Sequence, residues 1–118
     1  MDAAIRFEAG GYRVAEKLLS LKRRPSAVVL VHEMMAIGFY QRTAEAGVRI
    51  GKDMAVIGFR DSPRCDHLSP SLTRFRPKIR DLGLRLGEVL LGEMAGRKKH
   101  GRPVCEIWPM ELVPGDSG

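Results

Sequence analysis

Residues 25–59 read PSAVVLVHEMMAIGFYQRTAEAGVRIGKDMAVIGF, and their periodicity decides the fold. The run Ala27-Val28-Val29-Leu30-Val31 is continuously apolar and mostly β-branched, the pattern of a strand buried on both faces. From Glu33 to Ala46 the spacing turns helical, with Met34, Ile37, Phe39 and Tyr40 apolar and Gly47 as the C-terminal stop. Gly51-Lys52-Asp53 reads as a turn, and Met54 to Phe59 as a second buried strand. Strand, helix and strand in this order make a βαβ unit, whose two strands are parallel and joined by a right-handed crossover. The fold class is therefore α/β with a parallel, Rossmann-like sheet.

Outward from this unit, residues 8–22 predict a helix with Val14, Ala15, Leu18 and Leu19 on its apolar stripe, ended by Pro25. On the other side, Arg60 to Ser69 is a loop rich in Pro, Asp and Ser, and Leu72 to Arg76 a short strand. Pro77 suits a first helical turn, after which Ile79, Leu82, Leu86, Val89 and Leu90 repeat at helical spacing to Gly92. Gly83 and Gly87 weaken that helix, which predicts close packing against another element. Val104 to Val113 reads as extended and is followed by a polar tail.

At 118 residues, 44% hydrophobic and 29% charged, the chain has the balance of one globular domain and not of a disordered segment. The formal net charge of +6 raises a polyanion partner. The one dense basic run, Arg97, Lys98, Lys99, His100 and Arg102, is flanked by Gly96 and Gly101 and reads as a solvated loop. Cys65 and Cys105 are too few for a disulfide scaffold and fit cytosolic thiols. The first residues carry no apolar signal segment, so a cytoplasmic location is expected.

Ligands of open parallel sheets bind beyond the carboxyl ends of the strands. The first strand delivers His32 and Glu33 to that edge, and the second delivers Arg60 and Asp61. Glu33 also suits a helix N-terminus, and Asp61 could hold its own loop. His32 and Arg60 are poor caps and lead the candidate contacts. No metal or cofactor is expected. His32-Glu33-Met34-Met35-Ala36 lacks the second histidine that a zinc-protease helix needs, and Cys65 with His67 has no further ligands nearby. Nothing assembles a nucleophile, a base and an orienting group, so no enzyme is expected.

Several stretches together resemble the LacI-type transcription regulators. They are Ala27 to Gly38, Glu45-Ala46-Gly47-Val48, Asp53 to Phe59, Leu68-Ser69-Pro70-Ser71-Leu72-Thr73, the helix carrying Leu82-Gly83, Glu111-Leu112-Val113 and the early Gly11-Tyr12. The resemblance implies a periplasmic-binding-protein-like type I core of two α/β lobes, with a sugar or nucleobase effector in the cleft and a dimeric assembly. Residues 1–76 and 104–113 would be second-lobe elements, and 77–96 a helix returning to a first lobe absent from these residues. A helix-turn-helix head for operator DNA is likewise not among them. That helix would need another surface for its apolar stripe, such as a second copy of the chain. Positions matching the family's dimer contacts are Ile37, Tyr40, Gln41, His67 and Leu68, with a core role for Ile37 as the alternative.

This sequence departs from the pattern at two positions. His32 stands where the family has a ligand-contacting Asn, and Arg60 where it has the first Asp after Gly-Phe, while Asp61 keeps the second. Arginine offers donors and a fixed positive charge but no acceptor. An anionic effector such as a sugar acid or sugar phosphate is therefore expected, with pairing of Arg60 to Glu33 or Asp61 as the alternative. A solute-binding protein of a sugar transporter and a self-association fragment without ligand are the competing functions.

Overall fold

The computed structural model describes residues 7–96 and 103–118; the basic run 97–102 lies outside the described residues. The elements in chain order are α1 (Glu8–Leu19), β1 (Ala27–Leu30), α2 (Met35–Glu45), β2 (Ala55–Phe59), α3 (Arg64–His67), β3 (Thr73–Pro77), α4 (Ile79–Met94) and β4 (Met110–Val113). The sheet runs in the order β1-β2-β3-β4. β1 pairs with β2 and β2 with β3 in parallel, as the βαβ reading requires. The chain divides into two units, residues 1–76 with 112–118, and residues 77–111.

In the larger unit, Ala15 of α1 and Met35, Ala36, Phe39 and Tyr40 of α2 close over Leu30, Val56 and Leu72. Phe39 and Leu72 are fully buried, each contributing about 1.5–3 kcal/mol of transfer free energy. The α1–α2 crossing is backbone to backbone. A methyl on Gly11 would fall 1.8 Å from the Met35 carbonyl oxygen, and one on Gly38 the same distance from that of Glu8. α2 stops in a Schellman cap, as Gly47 at φ +71° lets the Val48 N–H reach the Thr43 carbonyl and the Gly47 N–H reach Ala44.

The tail is part of this fold. Ser117 is buried, its Oγ accepting from the Thr73 N–H at 2.8 Å and donating to the Val56 carbonyl at 2.6 Å. The Ser117 N–H and carbonyl add bonds to Ser71 and Val56, so residues 115–118 clip the starts of β2 and β3 together.

Several expectations change. β1 is an edge strand, and Val29 and Val31 are 57% and 75% exposed while Leu30 is buried. An apolar run reports affinity for a covered sheet and not which of its faces finds a cover. Tyr40, expected at a dimer contact, is buried in the core with its phenol pushed up to about 12, chiefly by that burial. Pro77 ends β3 and does not open a helix. The final strand is confined to Met110–Val113. In the smaller unit, α4 has no buried residue, and a methyl on Gly83 or Gly87 would meet nothing within 4 Å among the described residues. The close glycine packing lies at Gly11 and Gly38 instead.

Candidate functional site

The register Leu30↔Gly58 puts the residues that follow β1 and β2 at one sheet edge. His32 and Arg60 each lie two positions beyond that pair, and the Arg60 Nη1 comes within 3.5 Å of the His32 Nε2. Arg60 has a left-handed backbone, φ +71°, which costs a residue with a Cβ about 1–2 kcal/mol. The turn aims its exposed guanidinium at the imidazole instead of back along the strand.

The protonation pattern of His32 follows from its neighbours. Its Nδ1 accepts from the Met34 N–H at 3.2 Å, so a neutral ring carries its proton on Nε2. In that tautomer the Nε2–H and the Arg60 N–H face each other as two donors; with the ring proton on Nδ1, Nε2 instead accepts from Arg60. The Phe7 ring closes the imidazole from the start of α1, edge to face at 5.5 Å and 86°. Behind it, Glu33 is buried at 8% exposure. Its Oε2 lies 3.0 Å from His32 Nδ1 but out of hydrogen-bond alignment, and finds no hydrogen-bond partner among the described residues.

Asp61 is engaged elsewhere. Its Oδ1 accepts from Arg74 Nε at 2.7 Å and its Oδ2 from Arg76 Nε at 2.6 Å. Arg74, only 3% exposed, also donates to Asp66 at 2.9 Å and to the Leu72 carbonyl at 3.2 Å. Burial works to raise the Asp61 carboxyl, but the hydrogen bonds from Arg74 and Arg76 outweigh it and hold it below the ordinary carboxylate range. Asp61 thus ties its loop to β3, while Arg60 forms no ion pair among the described residues. Arg74 and Arg76 were missed from the sequence, although their spacing of two along β3 marks one face of a strand. Phe7 was missed too, and nothing in its sequence context marks it.

Of the expected dimer positions, Gln41 is exposed and donates to Glu45 at 3.1 Å, and His67 is exposed at the end of α3. Ile37 is half-buried, and Leu68 packs against the core. Among the described residues no cluster of metal-ligating side chains occurs, and no helix is long and apolar enough to cross a membrane.

The parallel α/β sheet is that of a periplasmic binding protein-like domain, whose family model matches residues 2–118. The HTH-type transcriptional repressor PurR of Vibrio cholerae is 35% identical over 103 residues, which are 87% of this chain and 30% of that protein. The lactose operon repressor of Rhizobium radiobacter is 38% identical over 101 residues, 83% of this chain and 89% of that sequence. The lac repressor dimer bound to operator and the anti-inducer ONPF superposes with a TM-score of 0.79 at 25% identity, over 94% of this chain and 33% of that one. The chain belongs to the LacI-type transcription regulators and corresponds to the C-terminal portion of their effector-binding domain. It spans about a third of the length of the PurR relative. Both of these relatives are repressors by name.

Proposed function

We propose that the chain is the effector-recognising part of a cytoplasmic bacterial regulator, and that its effector is a small anion built on a sugar, either a sugar acid or a sugar phosphate. One observation carries this: the His32 Nε2 and the exposed Arg60 guanidinium converge to 3.5 Å at the strand ends, and Arg60 has no carboxylate partner among the described residues. An oxyanion between them would take charge-assisted bonds from both, roughly twice as strong as neutral ones. Glu33 and Asp61 complete the rim, Glu33 behind the imidazole and Asp61 through the loop that carries Arg60. In the longer regulator, operator DNA would be met by a helix-turn-helix head outside these residues.

Titration calorimetry with hexose acids, hexose phosphates and the parent neutral sugars tests the reading. One charged class should bind and raise the thermal midpoint, and which one binds distinguishes carboxylate from phosphate. Binding of neutral sugars alone would refute it.

Self-association belongs to the same proposal. Ile37, Gln41, His67 and Leu68 are the proposed partner-facing positions, and α4 adds exposed Leu84, Leu86, Leu90 and Leu91. Light scattering should then report a dimer; a monomer at high concentration would remove this part.

A further inference from the structure

We infer that the anion site captures a proton from solvent on His32 together with its ligand, the buried Glu33 carboxylate holding the resulting imidazolium. The inference rests on the oxyanion reading above and adds to it the protonation state of the occupied site.

In the empty site the His32 Nδ1 serves as an acceptor for the Met34 N–H. The buried Glu33 Oε2 lies 3.0 Å from the same nitrogen, outside hydrogen-bond alignment and without a hydrogen-bond partner among the described residues. A proton on Nδ1, with a small rotation of the ring or the carboxylate, would make a charge-assisted bond and give Glu33 the partner it lacks, at the expense of the weaker Met34 contact. The cost falls on the other side of the ring. A doubly protonated imidazolium presents its Nε2–H to the Arg60 cation at 3.5 Å. An oxyanion seated between them removes this repulsion and accepts from both groups. Each event therefore favours the other: the anion makes the imidazolium tolerable, and the imidazolium adds a second positive charge to the site. One proton moves from solvent to Nδ1, and no covalent bond to the ligand forms.

The surroundings leave these groups in control. Among the described residues the charged groups facing the ring are Glu33 and Arg60, while Phe7 covers its edge. Asp61, next in sequence to Arg60, is turned to Arg74 and Arg76. Because the occupied site has the higher proton affinity, binding is strongest at low pH and weakens as pH rises through the midpoint of the complex. The limit is about tenfold in affinity per pH unit for one linked proton.

The test uses the 118-residue chain with sulfate, and with acetate in a parallel series, both fully ionised from about pH 6 to 8.5. Chloride at equal ionic strength is the reference. The imidazole of His32 is followed by NMR with His67 as the internal control. Saturating anion should raise the His32 midpoint by about one unit and leave His67 in place, and affinity should fall at least fivefold from pH 6 to 8.5. Glu33→Gln should flatten that dependence while retaining the anion at pH 8.5, and His32→Gln should abolish it. Anion binding at Arg60 with an unmoved His32 midpoint would overturn the coupled protonation and leave the oxyanion reading standing. Failure of both anions to perturb His32 or Arg60 at any pH would overturn both. The tighter of the two anions separates a phosphate-like head group from a carboxylate-like one.

Discussion

Replacing Gly38 by alanine tests the helix crossing that carries the site. The new Cβ would sit 1.8 Å from the Glu8 carbonyl oxygen, roughly 1.6 Å short of the 3.4 Å at which ordinary contact begins. The obstacle is backbone, so no side chain can rotate away, and α1 must move off α2. Overpacking of this kind costs about 1–3 kcal/mol and occasionally more, and a main-chain clash belongs at the upper end. Alanine returns up to about 1 kcal/mol of helix propensity. A net loss of about 2–3 kcal/mol follows, or roughly 10 °C in midpoint for a domain of this size. Gly87→Ala gains the same propensity but meets nothing within 4 Å among the described residues, so its midpoint should rise by a few degrees. Thermal melts followed by far-ultraviolet circular dichroism compare the two. Gly38→Ala melting within 2 °C of the parent, or Gly87→Ala losing as much as Gly38→Ala, would refute the crossing as described. The first variant should also weaken anion binding, because Phe7 moves with α1 away from His32.

Arg74→Met removes a buried guanidinium and leaves Asp61 with Arg76 alone. A loss of about 2–3 kcal/mol in urea unfolding is expected, below the figure for a fully buried pair because Asp61 is partly exposed. Since the folded-state pKa of Asp61 is depressed, its contribution is complete above the unfolded value of about 3.9 and disappears as pH falls through the folded value. Acid unfolding should accordingly begin below about pH 4, and Arg74→Met should shift it to higher pH. Ser117→Ala deprives the buried Thr73 N–H of its acceptor and the Val56 carbonyl of a donor. A cost of about 1–3 kcal/mol in chemical unfolding is expected, and no change would show that the tail does not clip the sheet.

The βαβ unit was legible because a switch from continuous to helical apolar spacing has few other physical solutions. The rim followed from it, since parallel strands put the residues after Leu30 and Phe59 at one edge whatever lies around them. Coverage was not legible: Ala27 to Val31 reads the same whether one face or both are shielded. Tyr40 was assigned outward by family position, yet Ala36, Phe39, Tyr40 and Thr43 share one helical face and all are buried. Glycines 11, 38, 83 and 87 carry one propensity penalty, and only tertiary contact separates the first pair from the second. The engagement of Asp61 depended on Arg74 and Arg76, which alternation along β3 puts on one face, Arg74 buried and Arg76 partly exposed.

Charge at position 60 is the centre of the functional proposal. The ratio of affinities for a sugar acid and its neutral parent, measured by calorimetry on the parent chain and on Arg60→Asp, addresses it directly. Aspartate tolerates the left-handed backbone there better than arginine and accepts bonds from hydroxyls. The proposal predicts that the parent prefers the acid and that Arg60→Asp lowers the ratio at least a hundredfold, reversing the preference. A ratio that does not change would contradict it.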